Sequence, residues 1–165
     1  MVGRRYLLAK SSNMKSFYRT LCFDFGSSNT IVCDGNGQVV FDEPTMIASF
    51  YGPNEPILIG NKAMIAPQIG PCKCIKPIIK GYVGDYEAFE SYVKGIIRKI
   101  VLFPQLCLKT IVIAMPDDLV GDEDAFACYR AFFEPFRKMG VKDIRTMHKS
   151  IAVFLGTKYI VNTKL

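Results

Sequence analysis

The chain has 165 residues, half of them apolar, with a mean hydropathy of +0.18; that length suits one domain able to bury about two thirds of its unfolded surface. No stretch reaches the roughly 18 uninterrupted apolar residues of a membrane-spanning helix, and no continuous apolar segment precedes a small-residue cleavage site at the N-terminus, so the cytoplasm is the expected compartment. The formal net charge of +6 is concentrated at the two ends; it reads as a solvated basic face, and no nucleic acid is expected as a partner.

Six cysteines scatter through apolar patterns, the usage of reduced, packed thiols. Cys72-Lys73-Cys74 has no second Cys or His pair nearby, so no zinc site is expected there.

Residues 1–20 mix Tyr6, Leu7, Leu8, Met14 and Phe17 with five basic residues and no acid. They read either as a solvated tail or as an amphipathic segment lying on an anionic membrane. Leu21–Phe25 is an apolar strand that carries one acid, Asp24. Gly26-Ser27-Ser28-Asn29 then leads into the β-branched strand Thr30–Cys33. The tip of such a hairpin presents backbone N–H groups and hydroxyls in a concavity suited to a phosphate oxyanion. Asp24, just before the turn, is placed to hold a hydrated Mg²⁺, which takes few protein ligands. The residue types equally allow an ordinary hairpin with a buried, capped aspartate.

Asp34-Gly35-Asn36-Gly37 signals a turn and Gln38–Phe41 a third strand, so the first three strands are antiparallel neighbours. Pro44 is expected to end this meander, because proline cannot continue a central ladder. Thr45–Phe50 and Ile57–Ile59 read as extended, with an exposed loop between them, and Asn61–Ile69 as a helix capped by Asn61.

From Asp85 onward, Phe89, Tyr92, Val93, Ile96, Ile97 and Ile100 form one apolar helical stripe. Lys109–Met115 is nearly all apolar, the pattern of a strand buried on both faces. A helix follows from about Gly121-Asp122-Glu123-Asp124, whose acids suit the positive end of its dipole. Pro135 is expected to kink or end it. Lys142–Met147 reads as a strand and Ser150–Leu155 as the start of a last helix. The alternation of helix and buried strand marks an α/β fold.

Asp24-Phe25-Gly26-Ser27-Ser28-Asn29-Thr30 resembles the first phosphate loop of the actin-like ATPases, in the form found in the bacterial actin MreB. Phe41–Thr45, Ile59–Ala63, Ile75-Lys76-Pro77, Gly81–Asp85 and Ile113–Pro116 are similar to MreB segments in the same order and spacing, so the resemblance runs from about Leu21 to Gly156. It implies a ribonuclease-H-like, actin-like fold over residues 21–165: a mixed sheet of about five strands flanked by helices, with a small α/β insert near residues 45–84. The residual ligand site would be Gly26, Ser27, Ser28, Asn29 and Thr30 for phosphate and Asp24 for Mg²⁺ through water, taking Mg-ATP, Mg-ADP or phosphate weakly.

The family's water-positioning acid lies in a Glu-Glu-Pro-Met-Ala-Ala stretch after the strand matched by Lys142–Met147, where this chain reads Met147-His148-Lys149-Ser150-Ile151-Ala152. A lysine with a pKa near 10.4 cannot accept a proton at neutral pH. The second phosphate loop and adenosine pocket of the family belong to a second half not matched by these residues. The resemblance thus implies a truncated, MreB-like cell-shape protein that acts by interaction, with no catalytic residues of its own. Its partners would be a second copy or a full-length MreB-like filament protein, with residues 1–20 touching the inner face of the membrane. The alternatives are an ATPase completed in trans by another chain and an inactive fragment.

Overall fold

The computed structural model describes residues 16–51, 56–116 and 123–152. Its centre is a five-stranded sheet of β1 (Thr20–Phe25), β2 (Asn29–Asp34), β3 (Val39–Pro44), β9 (Thr110–Met115) and β10 (Asp143–His148), in the spatial order β10-β9-β1-β2-β3. β1, β2 and β3 are antiparallel neighbours, whereas β9 pairs parallel with both β1 and β10. A parallel pair needs a crossover, which α4 (Glu123–Lys138) supplies between β9 and β10.

Side chains alternate across a strand, and one face of this sheet holds Leu21, Phe23, Phe25, Val32, Phe41, Ile111, Ile113 and Met115, all buried. Against that face lie α2 (Tyr86–Ile100) and α4. Every residue of the stripe from Phe89 to Ile100 is buried, and Asp85 caps the helix by accepting from the N–H of Ala88. Aromatic rings lock the layers: Phe25 meets Phe89 at 5.0 Å and Phe132 at 5.8 Å, and Phe23 meets Phe136 at 5.0 Å. At those spacings edge-on and tilted rings add to the burial of their area.

A second, three-stranded sheet holds β4 (Ile47–Phe50) between β5 (Ile57–Ile59) and β6 (Cys72–Ile75), and α1 (Asn61–Ile69) packs on it through Ala48, Ala63 and Ala66. β7 (Ile78–Ile79) and β8 (Tyr82–Val83) form a small ribbon. Its two-residue loop, Lys80-Gly81, has positive φ at both positions (52° and 88°), as a type I′ turn requires.

Several elements depart from the sequence pattern. Pro44 ends the meander as expected, but from within the ladder, as the last residue of β3 opposite Asn29; β3 is an edge strand, where a missing donor costs nothing. Asn61 does not cap α1. Gly60 holds the cap position without a side-chain bond, and the Glu43 carboxylate accepts from the Asn61 N–H at 3.3 Å. Pro135 lies inside α4, which runs on to Lys138 because the fully buried Phe136 pins its last turn against β1. β9 is buried on one face and half-buried on the other.

Residues 16–20 belong to the fold and not to a tail, since Ser16 exchanges backbone hydrogen bonds with Ile100 and Leu102 and Thr20 opens β1. A short helix, α3 (Pro104–Cys107), is an addition. The expectations for residues 1–15, for the acidic side chains of Asp122, Glu123 and Asp124 and for the last helix beyond residue 152 lie outside the described residues.

Candidate functional site

The hairpin between β1 and β2 lies at the end of the sheet where the parallel strands β1, β9 and β10 all terminate. Gly26 closes it by donating its N–H to the Asn29 carbonyl at 3.0 Å. A Cβ at Gly26 would stand 2.6 Å from that oxygen, so only glycine fits. Ser27 and Ser28 form the tip, outside both strands. The Ser27 hydroxyl accepts from the Gly81 N–H at 3.0 Å, which ties the tip to the β7–β8 ribbon and leaves the serine proton to donate elsewhere.

Beneath the tip lies a buried polar network. Thr45 Oγ1 donates to the Gly26 carbonyl at 2.7 Å and stands 2.8 Å from Thr30 Oγ1. Tyr92, fully buried, donates to the Pro44 carbonyl at 3.1 Å. Burial pushes the Tyr92 phenol up to about 12, although hydrogen bonds with Thr30 and Thr45 oppose the shift.

The structure therefore separates the residues that the sequence placed together. Ser27, Ser28 and the backbone of Gly26 remain at the surface of the turn. Asn29 is exposed, but its amide donates to Asp42 at 3.1 Å. Thr30 is fully buried, so its side chain braces the loop from below and does not face a ligand.

Asp24 points to the sheet face opposite the core and is about half exposed. Its carboxylate is held at 2.9 Å by the ammonium of Lys149, which also donates to the Phe25 carbonyl at 3.0 Å. In register, Asp24 pairs with Ala114, and Ala114 with Met147 on β10. Lys149, two residues beyond Met147, therefore reaches from the end of β10 past β9 to β1, a span of about two strand spacings, or roughly 10 Å. Residue types alone hid this pair, because the two residues are 125 positions apart; the parallel order β10-β9-β1 is what joins them.

The family model of the MreB/Mbl protein matches residues 18–164. The chain belongs to the MreB/Mbl family. It is 23% identical over 130 residues to the cell shape-determining protein Mbl of Bacillus subtilis, covering 78% of this chain and 38% of that one. Against Mbl of Bacillus cereus it is 24% identical over 109 residues, or 65% of this chain and 33% of that one. The fold is similar to MreB5 of Spiroplasma citri bound to ADP, with a TM-score of 0.61 at 19% identity over 79% of this chain and 38% of that one. It is also similar to a non-polymerising mutant of MamK bound to AMPPNP, with a TM-score of 0.57 at 14% identity, covering 79% and 42%. The chain spans about two fifths of the length of these relatives.

The actin-like architecture expected from the resemblance is thus the observed one, five-stranded mixed sheet included. The tip of the hairpin presents small residues, a serine hydroxyl anchored by Gly81 and a glycine that no other residue can replace. A metal ion fits less well there, since Asp24 already faces an ammonium and the Asp42 carboxylate accepts from the Asn29 amide. Among the described residues no group of three or more His, Cys, Asp or Glu could hold a metal.

Proposed function

We propose that this chain works as an assembly and partner-binding element of an MreB/Mbl-type cell-shape cytoskeleton and turns over no ATP by itself. One observation carries the second half of that reading: the residue following β10 is Lys149, and its ammonium is spent on Asp24 and the Phe25 carbonyl. A general base must accept a proton, and an ammonium only donates. With His148-Lys149 where the family resemblance sets its acid, no carboxylate stands at that position to orient water.

Partner binding is supported by the surface. Phe126, Tyr129, Phe133, Arg130 and Arg137 line a groove along α4, and aromatic and arginine side chains are the usual energetic anchors of protein contacts. Ile57, Met64, Ile65 and Ile69 are exposed around α1 and β5. The fitting partners are a second copy of the chain or a filament-forming MreB/Mbl relative, with the basic segment before residue 16 directed to the inner face of the membrane. The intact hairpin favours a second reading, an ATPase whose missing groups come from another chain.

Sedimentation velocity of the chain alone and mixed with Bacillus subtilis Mbl, run beside a phosphate-release assay, separates these. Assembly without phosphate release is expected. A strict monomer in both samples would remove the interaction role, and turnover by the chain alone would remove the claim of inactivity.

A further inference from the structure

We propose that Lys149 is a tethered cation standing where a divalent metal would stand beside Asp24, so that the hairpin receives a phosphate-bearing anion without magnesium. The inference rests on the reading of the hairpin as a phosphate cradle and adds how the charge of the ligand is met.

The geometry is specific. Lys149 Nζ is 2.9 Å from Asp24 Oδ1 and 3.0 Å from the Phe25 carbonyl, the last group of β1 before Gly26. Those two contacts use two of the three N–H donors of an ammonium, leaving a third for an anion. The pair is not sealed: the lysine side chain is 30% and the aspartate 53% exposed. An incoming phosphate would meet the Ser27 hydroxyl, already oriented by Gly81, and the Lys149 ammonium held at the end of β1.

Magnesium is disfavoured at the same place on two grounds. It demands oxygen ligands in an octahedral shell, and the inner oxygen of Asp24 is already taken by an ammonium whose charge repels a second cation. No cluster of three or more acids, histidines or cysteines exists among the described residues to compensate. A lysine just past a strand end is a permanent, concentration-independent counter-charge, and it costs the site the metal's ability to polarise a leaving group.

Titration calorimetry of the full chain with tripolyphosphate and with ATP, each in EDTA and in excess magnesium chloride, tests this. For the wild type, the two dissociation constants of a probe should agree within about threefold. Lys149→Ala should weaken binding in EDTA by about tenfold and recover part of it when magnesium is added, because Asp24 is then freed. Asp24→Asn should tighten metal-free binding several-fold, a gain that damage to the fold could not produce, so the test survives if the lysine variant fails to fold. Equal affinity for the two probes would show that the phosphate chain alone is read, tighter ATP that the nucleoside adds to it; both support the metal-free site. A tenfold or greater gain from magnesium in the wild type, or unchanged affinity of Lys149→Ala in EDTA, would overturn the tethered cation and leave the phosphate cradle standing. Absence of binding by either probe under both conditions would overturn the two together, without touching the assembly role.

Discussion

Replacing Thr45 with valine keeps the shape of the side chain and removes one hydroxyl from the network under the hairpin. Thr45 Oγ1 spends its proton on the Gly26 carbonyl at 2.7 Å, so the 2.8 Å contact with Thr30 has Thr30 donating to Thr45. The two threonines are 1% and 0% exposed, which denies water the vacated position. Valine therefore strands a buried carbonyl and a buried hydroxyl, each worth about 1–3 kcal/mol. The Tyr92 hydroxyl beside both threonines can accept from Thr30, which brings the expected cost to about 2–3 kcal/mol and the fall in Tm to about 5–10 °C for a chain of this size. Thr30→Val removes a donor and strands one lone pair, about 1 kcal/mol. Once Thr45 is valine, Thr30 has lost its bond to Thr45 and keeps only the one to Tyr92, so removing its hydroxyl should cost less than in the wild type and the two changes should cost less than their sum. Urea unfolding of all four proteins, followed by circular dichroism, gives the coupling energy, expected near 1 kcal/mol. A cost below about 0.5 kcal/mol for Thr45→Val, or strict additivity, would refute the network.

Glu90 of α2 accepts from Lys138 of α4 and from Lys94, and these hydrogen bonds lower its carboxyl from the ordinary 4.5 to about 2. A carboxyl lowered on folding stabilises above its unfolded value, so this contribution should be full above pH 4.5 and vanish as pH falls toward 2. Solvent screening holds it to about 1 kcal/mol, and Glu90→Gln should flatten that part of the stability–pH curve; an unchanged curve would count against the α2–α4 clasp. Gly60→Ala should cost more than about 2 kcal/mol in thermal unfolding, because φ is 60° and the new Cβ would lie 2.1 Å from the Glu43 carboxylate. If Gly60→Ala melts with the wild type, the Glu43 cap on α1 is not formed. Phe25→Ala should lose about 3–5 kcal/mol, since its ring touches Phe23, Phe89, Phe132 and Phe136 at once; a loss below 1 kcal/mol by urea titration would contradict that packing.

Local pattern was enough for much of the molecule. The alternation in β1, the stripe of α2 and the Gly26 turn follow from periodicity and steric freedom, which act over a few residues. The mixed sheet and the actin-like class followed from an ordered series of motifs along the chain. Other features needed partners distant in sequence. Pro44 is tolerated because β3 falls at a sheet edge, and α4 passes Pro135 because Phe136 is held by β1. Glu43 took the capping role that Asn61 was expected to fill, through a contact 18 residues away. Thr30 belongs to the phosphate motif by sequence and to the core by position.

By itself, the sequence determined which segments became strands and helices, where the small-residue turn would lie and that a basic pair replaces the expected acids after β10. Only the tertiary structure decided that Lys149 reaches past β9 to pair with Asp24 on β1. Strand order in a sheet is settled by the packing of whole faces, and no local propensity encodes which side chain ends up opposite another two strands away.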